Sequence, residues 1–156
     1  MASSKTSTGK ATLGNKKPTE FLLRADSGRL SPVNVYELTA KGFELKDVQE
    51  MLSISDLYSG RGVLGRILGK SSDKTNYQGK RQPVRLNSNQ SAIAFLYASA
   101  LECAIDVFGT QELAEEWLGR PCKYLNADAP LDLIDNALGF RIVQDYLKRI
   151  EYGVYQ

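Results

Sequence analysis

Apolar side chains recur at three- and four-residue intervals through most of this chain, the period of helices packed on one side. SPVNVYELTAKGF predicts a first helix, with Ser31 as N-cap, Pro32 at the first helical position and Gly42 as a left-handed stop. ELKDVQEMLS predicts a second: Leu45, Val48, Met51 and Leu52 share a stripe, while Lys46, Asp47, Gln49 and Glu50 face outward. SDLYSGRGVLGRILGK predicts a third, with Leu57, Val63, Leu64, Ile67 and Leu68 as its apolar positions and Gly60, Gly62 and Gly65 weakening it. Residues 71–85, SSDKTNYQGKRQPVR, have neither helical nor strand period and read as a loop. Beyond it, Asn87 with Gln90 three residues on opens a helix that carries only alanine, serine and apolar side chains from Ser91 to Leu101, and Gly109 stops it. A helix apolar on nearly every face has to be surrounded, so it is expected to be the central post of the domain or part of a dimer interface. TQELAEEWLGRP predicts a short helix capped by Thr110, with Leu113, Ala114, Trp117 and Leu118 inward and Gly119 and Pro121 ending it. NADAPLDLID is expected to form a capped turn around Pro130 and Leu131. NALGFRIVQDYLKRIEYG predicts a last helix from Asn136, with Leu138, Ile142, Val143, Tyr146, Leu147 and Ile150 on one side, and Lys148 and Arg149 at the favourable end of the dipole. The fold class that follows is all-α.

The chain has 156 residues, 42% of them hydrophobic, enough for a buried core. Three regions are expected: a flexible basic tail over 1–30, a three-helix domain with its basic loop over 31–85, and a second helical domain over 86–156. Met1 to Pro18 holds no apolar block, which argues against a secretory signal. The longest apolar run, AIAFLYASALECAIDVF, reads as about a turn too short to span a bilayer and includes Glu102 and Asp106, so no membrane partner is expected. Cys103 and Cys122 lie 19 positions apart without metal-type spacing, which fits reduced thiols and a cytoplasmic setting.

The composition contains no histidine, which removes Ser-His and Cys-His nucleophile arrangements, common zinc sites and the usual neutral-pH proton shuttle. No catalytic residue, metal site, cofactor or small-molecule substrate is expected. GRGVLGRILGKSS imitates a phosphate-binding loop, but its glycines are wrongly spaced: Gly65 to Gly69 encloses three residues and Gly62 to Gly69 six, where four are needed. Asp132 and Asp135 could be paired carboxylates of a small enzyme, yet they fit better as capping and solvating groups of a short helix.

Charge is unevenly distributed. Residues 1–30 carry six basic and two acidic side chains, residues 57–85 seven and one, and residues 86–156 five and ten. A basic first half and an acidic second half suggest two different partners, the first a polyanion. Amphipathic helices joined by a tight connection, the later one bearing arginines, suggest a helix-turn-helix. On that reading Arg61 and Arg66 reach phosphates or base edges of operator DNA, and Lys70 joins them. Lys74, Lys80 and Arg81, with Arg85, follow the phosphate backbone.

Several ordered motifs carry a family resemblance. They are Phe108-Gly109, Trp117-Leu118 followed by Pro121, Pro130-Leu131-Asp132-Leu133, Gly139 ahead of Val143, and the closing RIEYGVY. Together, from Asp106 to Tyr155, they resemble the C-terminal toxin-binding domain of the Xre/MbcA/ParS antitoxin family. Upstream, RLNSNQSAIAFLYASALECAIDVFG resembles the family's linking helix, and residues before it stand where the family has its Xre-type helix-turn-helix. SGRGVLGRILG only approximates the family's Ser-x-x-Thr-Leu-x-Arg recognition segment.

The resemblance implies a type II antitoxin paired with a RES-domain toxin, a relative of ADP-ribosyltransferases that depletes NAD. It implies that the C-terminal part covers the toxin's active-site entrance while a homodimer of the N-terminal domain represses the operon. Trp117, Tyr152, Gly153, Val154 and Tyr155 would then lie in the toxin interface, tyrosine burying a large rigid area at small entropic cost. Arg149, Glu151 and the terminal carboxylate of Gln156 would add charge-assisted hydrogen bonds. Read without the resemblance, the same tail would fold back on its own domain. A stand-alone helix-turn-helix regulator, with a C-terminal domain that dimerises or binds a non-toxin partner, is the alternative.

Overall fold

The long helix predicted from Asn87 organises the rest. The computed structural model describes residues 16–69 and 85–153. Among them are eight α-helices: α1 (Pro18–Leu23), α2 (Pro32–Lys41), α3 (Leu45–Ser53), α4 (Asp56–Gly60), α5 (Val63–Leu68), α6 (Ser88–Phe108), α7 (Gln111–Leu118) and α8 (Ala137–Glu151). Single 3-10 turns occupy Ser27–Arg29, Lys123–Leu125 and Pro130–Leu133. The fold is all-α among the described residues, apart from one antiparallel bridge between Glu44 and Arg85.

Helix α6 is the post. Asn87 and Gln90 form the expected capping box, with reciprocal bonds of 2.8 and 3.0 Å, and Gly109 closes the far end. Helices α1, α2, α5, α7 and α8 pack around it. Ala94, Tyr97, Ala98, Ala100, Leu101 and Ala104 are buried. At 21 residues the helix is longer than the apolar run suggested, and by length and composition it could cross a bilayer. Here its most buried face is covered by its own chain, while Ile93, Phe95, Leu96 and Ile105 are half-buried and Ala92 is exposed.

Other expected caps are present as well: Ser31 accepts from the Asn34 amide, Thr110 from Leu113 and Asn136 from Gly139. The stripe Leu45, Val48, Met51 and Leu52 is buried. Asp47, expected to face outward, is buried instead. Arg24 holds it with two bonds, Nε to Oδ2 at 2.7 Å and Nη2 to Oδ1 at 3.2 Å. The tail expected over residues 1–30 is corrected from Lys16 onward. Phe21, Leu22 and Leu23 of α1 are core residues, and Thr19 donates to Glu102 of α6 through both its hydroxyl and its amide. An apolar triplet next to a carboxylate acceptor orders a segment whose polar composition read as unstructured.

The third predicted helix is two. Gly62 takes φ +66°, which breaks the backbone ladder between α4 and α5. Each piece then finds its own site: Tyr58 is fully buried, its hydroxyl donating to the Tyr97 carbonyl at 2.7 Å and its ring meeting that of Tyr97 edge-on at 5.6 Å. Val63 and Ile67 of α5 are buried too. One contiguous core cluster runs from Phe21 to Leu147, so the expected division at residue 85 is not a division of the core.

Burial raises the Tyr58 and Tyr97 hydroxyls above their ordinary value of 10.0, and it raises the Cys103 thiol above 9.0. A raised value means that the fold favours the protonated form. Its stabilising contribution is complete below the unfolded values and is lost as pH climbs past them. The urea midpoint should therefore fall on the alkaline side, with most of the loss above the ordinary tyrosine value of 10.0, and Tyr97→Phe should reduce that dependence.

Candidate functional site

The C-terminal helices share an aromatic row. Phe108 at the end of α6 meets Trp117 of α7 with ring centroids 5.6 Å apart; Trp117 stacks on Tyr146 of α8 at 5.7 Å and 27°; Tyr146 meets Tyr124 at 5.8 Å. These are favourable aromatic separations, and they tie three elements and a loop into one surface. Lys123 lies over the Tyr124 ring, 5.2 Å from its centroid.

Helix α8 presents two stripes. Its inner one is Gly139, Val143 and Leu147, all buried. Its outer one is Leu138, Ile142, Asp145, Arg149 and Tyr152, spaced four, three, four and three apart, which keeps all five within a narrow sector of an α-helix. Leu138 is 70% exposed, Ile142 45%, Tyr152 77% and the adjoining Tyr124 57%. Tyr124, Leu125, Ile142, Asp145, Tyr146 and Arg149 line a shallow depression beside the row. Leu138 and Ile142 were expected inward, and so was Leu113, which is half exposed. The inner stripe and the aromatic row already fill the contact with α6, which leaves these side chains in water.

Of the residues expected at a toxin interface, Trp117 is half-buried within the row and Arg149 borders the depression. Glu151 and Tyr152 are exposed at the helix end, and Gly153 follows them. Val154, Tyr155 and Gln156 lie outside the described residues. Sequence reading missed Tyr124, Leu138 and Ile142. The signal available was the second stripe at three- and four-residue spacing, one position off the first.

Of the residues expected to contact DNA, the described ones are engaged within the chain. Arg61 donates from Nη2 to the carbonyl of Gly119 at 3.0 Å, and Arg66 pairs with Asp132 at 2.9 Å. Arg85 donates to the Gly42 carbonyl and reaches Glu44 at 3.4 Å. Lys70, Lys74, Lys80 and Arg81 lie outside the described residues. Among the described residues no group of three or more Cys, Asp or Glu side chains converges as a metal site would require.

Residues 103–153, about a third of the chain, match the family model of the antitoxin Xre/MbcA/ParS C-terminal toxin-binding domain. No curated protein matches the chain. The whole aromatic row and the outer stripe of α8 lie inside the matched segment. Over these residues the chain is similar to that antitoxin family's toxin-binding domain.

The geometry of this face depends on one close approach. A β-carbon at Gly139 would lie 1.7 Å from the Leu133 carbonyl oxygen, so the first turn of α8 sits directly on the preceding 3-10 turn. Gly139→Ala should destabilise the protein by about 3 kcal/mol or more in urea unfolding, because backbone on both sides has to move.

Proposed function

We propose that this chain is an antitoxin that captures a RES-domain, NAD-depleting toxin in the cytoplasm and closes its active-site entrance with the segment from Arg149 to Gln156. The same chain, as a homodimer, binds operator DNA and represses its own operon. Inhibition of this kind is occlusion and needs no chemistry from the antitoxin.

One observation carries the toxin-binding part. Of the seven large apolar side chains exposed among the described residues, five lie within the matched segment: Leu113, Tyr124, Leu138, Ile142 and Tyr152. Apolar and aromatic side chains grouped on a rigid platform are the chemistry of interface anchors, and the rim charges Asp145 and Arg149 add orientation. The outer stripe leads along α8 through Arg149 to Tyr152, so the platform runs into the first residues of the closing segment. DNA binding is supported by the basic charge of the block 57–85 and its loop, with Lys70, Lys74, Lys80 and Arg81 as the phosphate contacts.

The test is co-purification with a catalytically disabled RES-domain toxin. Leu138→Asp and Ile142→Asp should change stability by less than about 1 kcal/mol, since both sites are solvent-facing, yet weaken toxin capture by about tenfold or more. Deleting Tyr152 to Gln156 should restore toxin activity while operator binding persists. Undiminished neutralisation by the deletion variant would sink the occlusion mechanism. Loss of operator binding instead would make the tail part of a dimer, as in a stand-alone regulator.

A further inference from the structure

The segment that looks like a DNA reader is bound to the segment that looks like a toxin binder. Helix α7 has two working faces. One carries Trp117 in the aromatic row; the other carries Gln111, Glu115 and Gly119, one helical turn apart. That second face holds the start of α4 by its backbone. Gln111 donates to the Ile54 carbonyl, and Glu115 accepts from the Leu57 amide at 2.9 Å. Gln111 also donates to Glu115 at 2.7 Å, fixing the carboxylate. Arg61 completes the seam through the Gly119 carbonyl, and Arg66 repeats it on the next element by pairing with Asp132 of the 3-10 turn on which α8 rests. Behind that pair the Tyr97 hydroxyl is buried; burial raises its pKa, and the neighbouring Arg66 guanidinium pulls the other way.

Seven basic side chains fall in the block 57–85. The three within the described residues, Arg61, Arg66 and Arg85, are each engaged inside the chain. A guanidinium bonded to a carboxylate or carbonyl has to give up that partner before it meets a phosphate, and the partners of Arg61 and Arg66 belong to elements that shape the aromatic row.

We infer that Arg61 and Arg66 are positioning residues of the toxin-binding face, clamping α4 and α5 against α7 and the Pro130–Leu133 turn, and that they do not contact DNA. This rests on the antitoxin reading for its partner, but the clamp itself is a property of the free chain. Its consequence is that the toxin-binding segment depends on residues 54–68 for its shape.

The experiment is a charge swap in the full chain: Arg66→Asp, Asp132→Arg and the double variant, each measured in three ways. Trp117 is the one tryptophan, so its emission reports the geometry of the row without any partner. Capture of the disabled RES-domain toxin reports function, and binding of duplex DNA from the upstream region of the chain's own gene, across a salt series, reports the phosphate contacts. Arg66→Asp should shift Trp117 emission and weaken toxin capture by about fivefold, as expected for a partly exposed pair turned repulsive. The double variant should recover both, with DNA affinity and salt slope unchanged from the parent. A DNA-contacting Arg66 gives the opposite pattern: the single variant loses DNA affinity and its salt slope falls by about one, the swap fails to restore either, and Trp117 emission does not move. That result overturns the inference. If the parent chain captures no such toxin, the antitoxin reading fails, while the emission series still decides the clamp. If Arg66→Asp does not fold, Arg61→Ala and Asp132→Asn take its place under the same readouts, and unchanged emission and capture in both overturn the clamp.

Discussion

Helix α6 is apolar on nearly every face, and water around such a helix is the costly alternative to everything else the chain does. Burying a side chain such as Tyr97 or Leu101 is favourable by about 2 kcal/mol each, and both are fully buried here. No single neighbour is wide enough to cover it. Five helices are recruited, three from the N-terminal half and two from the C-terminal half, and both halves thereby share one core. A basic first half and an acidic second half suggest two independent modules; a common post makes them one cooperative body.

Sharing a core sets the use of the charges. Arg24 with Asp47 and Glu44, Arg85 with Glu44, and Arg66 with Asp132 all join elements distant in sequence. Partly exposed pairs of this kind contribute little next to the apolar term. Their role is to select one arrangement of helices among the many that would cover α6 equally well. Once enlisted in that way, an arginine is no longer a free cation on the surface.

The candidate site arises from the same constraint. Covering α6 uses the inner stripe of α8 and the buried face of α7, and the aromatic row closes the gap between them. What remains outside is a second apolar stripe, Leu138 and Ile142 leading to Tyr152, exposed among the described residues. An apolar face left over after the core is complete is what a binding surface requires.

Helices α2, α3, α6, α7 and α8 were legible in the sequence because their ends depend on neighbours a few residues away: Ser31, Asn87, Thr110 and Asn136 cap where local pattern places them. So was the need to surround the helix after Asn87, since its side chains offer water no polar face. The motifs from Phe108 to Tyr152 were legible too, as an ordered series. Which of two adjacent stripes on α8 turned inward was not, because Leu138 and Val143 are equally apolar and only the position of α6 separates them. Nor were the fate of Asp47 and Arg66, or the order of α1, since each depends on a partner dozens of residues away. Local chemistry determined where most of the helices begin and end; long-range packing ordered α1 and decided which side chains were left facing water.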